Sequence, residues 1–368
     1  MFPVMKEAHK INGYLFVIML VLMVIYSLPK IVTYVQKDID ALTLFFDGQL
    51  ARDFEQDYDE SLFLRAVSIE GWANFRYFLF NEGLDGVVIG KDDWLFTKEE
   101  FGSLEAASNH IPSLVGQIKK VEQILEENGK KLVLLPVPMK ATIYSEYTPY
   151  FVPEPSIDIY QLFVEQLVKE NVAHSAIKDV FVSNKPATQL FLKKDTHWTP
   201  AGAQLAAQTF VADFPELTGE ISYVTQKSTD KDFSGDLLNF VKVSAWAAPD
   251  LTRGEALPAL QTLKASNEQD EASSLFGDEA VSVALVGTSY TAIDDWNFPG
   301  YMREALQQDL ISVAVKEKGP LVAMDQFLDG ALLQDPDIEW VIWEFPVRSL
   351  IQKNNDKNSW QAMMDSVF

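Results

Sequence analysis

The sequence predicts an α/β fold, a mostly parallel sheet flanked by helices, preceded by one N-terminal transmembrane helix. Three observations predict it. Short runs rich in Val, Ile and Leu at 132–137, 282–286, 310–315 and 340–343 have the composition of buried strands. Segments with apolar residues at helical spacing, 111–127, 157–170 and 201–210, alternate with them, as crossover helices over a parallel sheet do. An almost unbroken apolar run at 11–28 is hydrophobic around the whole helix, which suits lipid and not a half-exposed surface.

Taken in order, residues 1–10 are a short polar leader with Lys6 and Lys10, and 11–35 an uncleaved signal anchor, since no A-x-A-type site follows the apolar run. The positive-inside count is even, Lys6 and Lys10 against Lys30 and Lys37. The small leader is the natural cytoplasmic part, which puts the bulk of the chain in the periplasm. Residues 36–80 read as a helical connector, with a helix over 61–80 through Trp72, Phe75 and Phe78, and the main domain occupies 81–368. In it, 87–96 reads as strand, turn and short strand, with Lys91-Asp92-Asp93 supplying the turn. The helix over 111–127 stops at Asn128-Gly129, and Thr199-Pro200 is an N-cap and first-turn pair for the helix over 201–210. Between 218 and 278 the pattern degrades; this is an expected insertion and mobile loop, and its Asn267-Glu268-Gln269-Asp270-Glu271 is an acidic, solvated patch.

Composition excludes several chemistries. A formal net charge of -23, from 53 acidic and 30 basic residues, disfavours nucleic acid as a partner, and there is no basic stripe. The absence of Cys removes disulfides, thiolate metal sites and a cysteine nucleophile. The His residues are His9 beside the leader, His174 without an evident carboxylate cluster, His110 in an expected turn near Pro112, and His197. A metal site would need scattered ligands, so neither metal nor other cofactor is expected.

Two short segments carry candidate chemistry. Ser289 follows an apolar strand and a glycine in Leu285-Val286-Gly287-Thr288-Ser289-Tyr290, where an α/β sheet exposes reacting groups at the carboxyl ends of its strands. Asp195-Thr196-His197 places a carboxylate two residues from an imidazole at a helix entrance, able to fix its tautomer so that it accepts a serine proton. Lys140 and Tyr144 after one expected strand, and Arg348 after another, are candidates for substrate contact or support, against the plainer reading of packing.

Gly90-Lys91-Asp92-Asp93-Trp94-Leu95-Phe96, Pro138-Met139-Lys140, Lys194-Asp195-Thr196-His197-Trp198-Thr199-Pro200, Gly287-Thr288-Ser289-Tyr290 and Trp343-Glu344-Phe345-Pro346-Val347-Arg348 together resemble the AlgJ and AlgX family of alginate O-acetyltransferases, the AlgJ branch more closely. The resemblance implies an SGNH hydrolase-like, flavodoxin-like domain with rearranged motif order, and a catalytic triad of Ser289 (nucleophile), His197 (base and acid) and Asp195. It leaves Lys140, Tyr144, Tyr290 and Arg348 as substrate-binding or supporting residues. The Asp-His pair here precedes the serine and is spaced D-x-H, and the usual Gly and Asn blocks are not found. The implied function is periplasmic transfer of acetyl through acetyl-serine to an exopolysaccharide, alginate foremost, from an inner-membrane anchor. The implied partners are a multi-pass membrane acyltransferase as acetyl donor, the polysaccharide acceptor and other acetylation subunits. A carbohydrate acetylesterase with the same triad, and a non-catalytic scaffold, are the alternatives the sequence leaves open; so is a neutral acceptor such as cellulose.

Overall fold

The strands in chain order are β1 (Val87–Ile89), β2 (Leu95–Thr97), β3 (Lys131–Val137), β4 (Tyr223–Phe233), β5 (Glu255–Lys264), β6 (Val283–Gly287), β7 (Ile311–Ala314) and β8 (Trp340–Pro346). The longer helices are α1 (Pro3–Lys37), α2 (Phe63–Phe80), α3 (Leu104–Glu127), α4 (Ile159–Lys169), α5 (Pro200–Asp213), α6 (Phe298–Leu306) and α7 (Gly319–Leu328). The computed structural model describes residues 3–37, 52, 55, 63–102, 104–149, 158–265, 281–316 and 319–351. The chain divides into two units, Met1–Trp72 and Ala73–Phe368.

The main sheet has the order β3-β8-β6-β7, with every neighbouring pair parallel. Its strands are the four apolar runs, and alternation along them sorts side chains to two faces. Leu132, Leu134, Ala284, Val286, Val341 and Trp343 enter one core with Val115, Ile118, Phe163 and Met324. Val133, Leu135, Val283, Leu285 and Ile342 enter the other with Ala203, Ala206, Phe210 and Met302. Burial on both faces explains why β3, β6 and β8 read as continuous apolar runs; β7, at the edge of the sheet, is only partly buried and carries the exposed Ser312. All four strands run the same way, so the segments after Val137, Gly287 and Pro346 emerge at one edge, where the candidate residues lie.

Several expectations hold in detail. Lys91-Asp92-Asp93 turns the β1–β2 hairpin, with Asp92 and Asp93 at positive φ. Thr199 caps α5, its hydroxyl accepting from the Gly202 N–H at 3.1 Å, with Pro200 in the first turn. One expectation fails. His110 sits inside α3, not in a turn, because the helix begins at Leu104 and carries Pro112 within it. The region read as an insertion holds β4 and β5, an antiparallel ribbon of mostly exposed residues; with little buried apolar alternation, its sequence carried no strand signal. The acidic patch 267–271 lies outside the described residues, as does most of the connector before residue 63.

In the first unit, Ile11–Pro29 within α1 is long and apolar enough to cross a membrane and buries none of its side chains. The segments expected to be leader and anchor lie in one helix, continuous through Pro29.

Candidate active site

Ser289 follows β6 after Thr288 and opens a single helical turn, Ser289–Ala292. The turn is fixed from behind by Glu344 on the neighbouring β8. Its fully buried carboxylate accepts from the Thr288 N–H (2.9 Å), the Thr288 hydroxyl (2.9 Å) and the Thr291 hydroxyl (2.8 Å). Burial raises the Glu344 pKa, and these donors pull it back. Such close approach needs Gly287, since a Cβ there would stand 2.3 Å from Thr291 Oγ1 and 2.6 Å from Glu344 Oε2. Thr288 thus spends its N–H on Glu344, whereas the Ser289 N–H has no hydrogen-bond partner among the described residues.

The Asp-His pair lies in a loop closed by bonds from Leu192 N–H to His197 O (3.1 Å) and from Thr199 N–H to Leu190 O (2.9 Å). Asp195 Oδ1 accepts the backbone N–H of His197 at 2.8 Å and its ring Nδ1–H at 2.6 Å. The first bond is the short turn an Asp makes with the N–H two residues on, so it explains why D-x-H spacing brings carboxylate and imidazole together. The carboxylate only accepts, so Nδ1 carries the proton and Nε2 is free to accept from the Ser289 hydroxyl, 2.7 Å away. Serine and histidine, 92 positions apart, meet here. Asp195 Oδ2 accepts from the Asp236 N–H at 2.8 Å. Burial alone raises the Asp195 pKa, but the hydrogen bond and charge of His197, with the two N–H donors, bring it down to about 2.

The four supporting candidates converge on this loop. Lys140 is buried and donates to the carbonyls of Leu95 (2.5 Å), Asp195 (2.9 Å) and Lys193 (3.1 Å). Burial drags its ammonium down to about 8. Tyr144 Oη accepts the Leu190 N–H at 2.8 Å. Tyr290 donates its hydroxyl to Thr196 O at 2.9 Å, and Arg348 donates to Tyr290 Oη at 2.7 Å and to Glu99 at 3.2 Å. All four brace the Asp195–His197 loop or a residue that does.

Sequence reading missed three contributors. Trp296 stacks on the His197 ring, centroids 4.6 Å apart and 21° between planes, and is held by its own N–H on Tyr290 O (2.7 Å). Asp236 accepts the Thr196 N–H (2.8 Å) and hydroxyl (2.7 Å), and burial together with the Asp195 charge raises its pKa. Glu344 is the third; it stands in a quoted motif, but nothing in its spacing points to the serine turn. Gly235 was the available signal for Asp236, since a Cβ at that position would lie 2.1 Å from Lys194 O, leaving only glycine able to pass.

Asp195, His197 and Asp236 are close enough to suggest a cation site. Their donor set fits one poorly. Asp195 Oδ1 and Oδ2 and both Asp236 oxygens already accept N–H or O–H groups, and His197 Nε2 faces Ser289. The arrangement as it stands, a partly buried serine hydroxyl against an imidazole oriented by an ionised carboxylate, can form an ester by nucleophilic attack on an acyl donor.

A family model described as an SGNH hydrolase-like domain of the acetyltransferase AlgX matches residues 87–347. The probable alginate O-acetylase AlgJ of Pseudomonas putida is 35% identical over 314 residues, 84% of this chain and 82% of that protein. Its counterpart from Pseudomonas fluorescens is 32% identical over 359 residues, 95% of this chain and 90% of its own. Among solved structures, the O-acetyltransferase domain of Pseudomonas putida AlgJ matches with a TM-score of 0.65 and 31% identity, covering 77% of this chain and 100% of that one. AlgX of Pseudomonas aeruginosa shares the fold, with a TM-score of 0.55 and 18% identity over 72% of this chain and 66% of that one.

Proposed function

This chain belongs to the AlgX family of SGNH hydrolase-like acetyltransferases and is an O-acetyltransferase; on that premise we propose that it acetylates an exopolysaccharide, alginate foremost, through an acetyl group carried on Ser289. The observation that carries the reading is the unbroken chain of contacts from Asp195 through His197 to the Ser289 hydroxyl. Ser289 Oγ attacks the acetyl carbonyl while His197 Nε2 takes its proton, and Asp195, held ionised, stabilises the imidazolium that results. The Ser289 N–H is the backbone donor available to the developing oxyanion. Collapse expels the donor's leaving group with the proton from His197. A sugar hydroxyl then repeats the sequence, giving its proton to His197 and taking the acetyl group, and Ser289 is restored.

The helix Ile11–Pro29 is proposed as a single-pass inner-membrane anchor, with the catalytic unit in the periplasm. One such helix has no path for an acetyl group across a bilayer, so a multi-pass membrane acyltransferase is the proposed donor. Charge bears on the acceptor. Lys140 is spent on backbone carbonyls and Arg348 on Tyr290 and Glu99, so neither opens a basic cleft in a protein of net charge -23. A polyuronate is therefore held by hydroxyl contacts or by partners, not by long-range attraction.

The test incubates the detergent-solubilised full chain with a chromogenic acetyl ester and either polyuronate or neutral β-glucan oligomers. Acetylated uronate oligomers, absent with Ser289→Ala, are expected. Acetate alone would turn the reading to an esterase, and acetylated glucan alone would move the acceptor to a neutral polymer.

A further inference from the structure

The second unit carries an aromatic surface that the proposed chemistry does not use. Phe78, Leu79 and Phe80 at the end of α2 are exposed, Phe78 by 59%, and Trp246, on a loop distant in sequence, is exposed by 75%. The Phe78 and Trp246 rings lie 6.3 Å apart, and Phe240, six residues before Trp246, adds a fourth exposed aromatic residue. Flexible loops do not explain this grouping, because the loop is clamped to α2. Asn74 donates to Ser244 Oγ at 2.7 Å and accepts the Ser244 N–H at 2.9 Å. The Leu84 N–H binds Phe240 O at 2.7 Å, and Gly86, at φ +115°, lets the Phe240 ring pack where a Cβ would meet it at 2.8 Å. Phe78 and Trp246 are thus held outward together at the centre of an apolar rim to which the exposed Leu79, Phe80 and Phe240 belong by their place in the chain.

We propose that this rim, Phe78, Leu79, Phe80, Phe240 and Trp246, docks into the interfacial layer of the lipid bilayer that the chain's own apolar helix enters. Trp and Phe are side chains that settle at the headgroup boundary. A chain of net charge -23 gains nothing from anionic headgroups, so attachment must come from buried apolar surface, which is what the rim offers. Ile11–Pro29 lies in the same chain, so the helix and the rim belong to one molecule and reach one membrane together. Attachment of one part of a chain to a membrane raises the local concentration of the rest, so weak apolar contact suffices. Asp236, which supports the Asp195–His197 loop, begins the 3-10 turn Asp236–Phe240 that ends in the rim residue Phe240. Docking therefore fixes the height of Ser289 above the bilayer, where a membrane-borne acetyl donor must present its group. The proposal rests on the anchor reading of α1, and its test separates the two.

The chain has no cysteine, so each introduced cysteine is a unique labelling site. Nitroxide is placed by Val21→Cys in α1, by Phe78→Cys and Trp246→Cys in the rim, and by Val168→Cys on the exposed face of α4. The labelled full chain is reconstituted in phosphatidylcholine vesicles, and collision with oxygen and with a water-soluble nickel chelate is measured at about 0.15 M and 1 M salt. Positions 78 and 246 are expected to favour oxygen about threefold or more over position 168, at both salt concentrations, as position 21 does. Lipid-like values at 21 with water-like values at 78 and 246 overturn the docking and leave the anchor. Water-like values at 21 overturn both. Shielding of 78 and 246 from both reagents shows a protein occupant, a second copy included, and also overturns the proposal.

Discussion

Replacing Lys140 with Met removes the donor that three buried carbonyls share, those of Leu95, Lys193 and Asp195. A hydrogen bond from a charged group contributes roughly 1.5–3 kcal/mol, and an abandoned buried carbonyl keeps its full desolvation cost. Against this stands the burial of the ammonium itself, which pulls its pKa from the ordinary 10.5 to about 8, a cost of about 3 kcal/mol relieved by Met. The balance is a net destabilisation of about 1–5 kcal/mol, concentrated on the loop that carries Asp195 and His197. The pH dependence identifies the cause. The folded pKa lies below the unfolded value near 10.4, so between about 8 and 10.4 the unfolded chain binds more protons and native stability rises with pH. The Met variant loses that rise while keeping the rest of the profile. Urea unfolding in mild detergent at pH 7.5 and at 9.5 reads both effects. A Met variant within about 0.5 kcal/mol of the native chain, or one with the same rise between the two pH values, would refute the assignment of Lys140 as the pin of this loop.

Asp195→Asn removes the acceptor that sets the His197 tautomer, and the rate of Ser289 acetylation is expected to fall roughly a thousandfold or more in a stopped-flow assay. Because the Asp195 pKa is depressed to about 2, its contribution to stability is complete above about 4 and disappears as pH falls through 2; the Asn variant should lack this acid limb in thermal melts. Gly235→Ala drives a methyl group against Lys194 O, which no rotamer relieves, and is expected to cost about 1–3 kcal/mol in unfolding experiments and to reduce turnover by displacing the Asp236 N–H. For uronate oligomers, KM should fall as salt is raised from about 0.02 to 0.5 M, because screening removes like-charge repulsion, whereas KM for any neutral acceptor should stay level.

What the sequence displayed was local. Three of the sheet strands, β3, β6 and β8, were visible because burial on both faces makes them continuous apolar runs, β7 because its Ile311 and Val313 pack on one core, and Thr199-Pro200 because capping is decided within one turn. Asp195 and His197 were visible because the turn joining them spans two residues. Their junction with Ser289 across 92 positions was legible only through family resemblance, since no spacing rule connects the loop after Leu192 to the end of β6. Asp236 and Trp296 stayed hidden for a related reason: one binds Thr196 and Asp195 from 40 and 41 positions away, where no spacing rule reaches, and the other acts by stacking, which in sequence looks like core. The β4–β5 ribbon was hidden because β4 buries none of its residues and is polar along most of its length, with the apolar Val224 and Leu263 facing outward, so no alternation of a half-buried strand develops. Glu344 reads as the one charge in an apolar run; only the approach of Gly287 shows that it holds the serine turn.

The central claim is that Ser289 carries the acetyl group. Intact-protein and peptide mass spectrometry of the full chain, quenched within the first turnovers with an acetyl ester, tests it directly. A single acetyl group is expected on the peptide containing Ser289, lost when an acceptor oligomer is added and never formed in Ser289→Ala. An unmodified Ser289, with acetyl turnover equal in the native chain and the Ala variant, would contradict it.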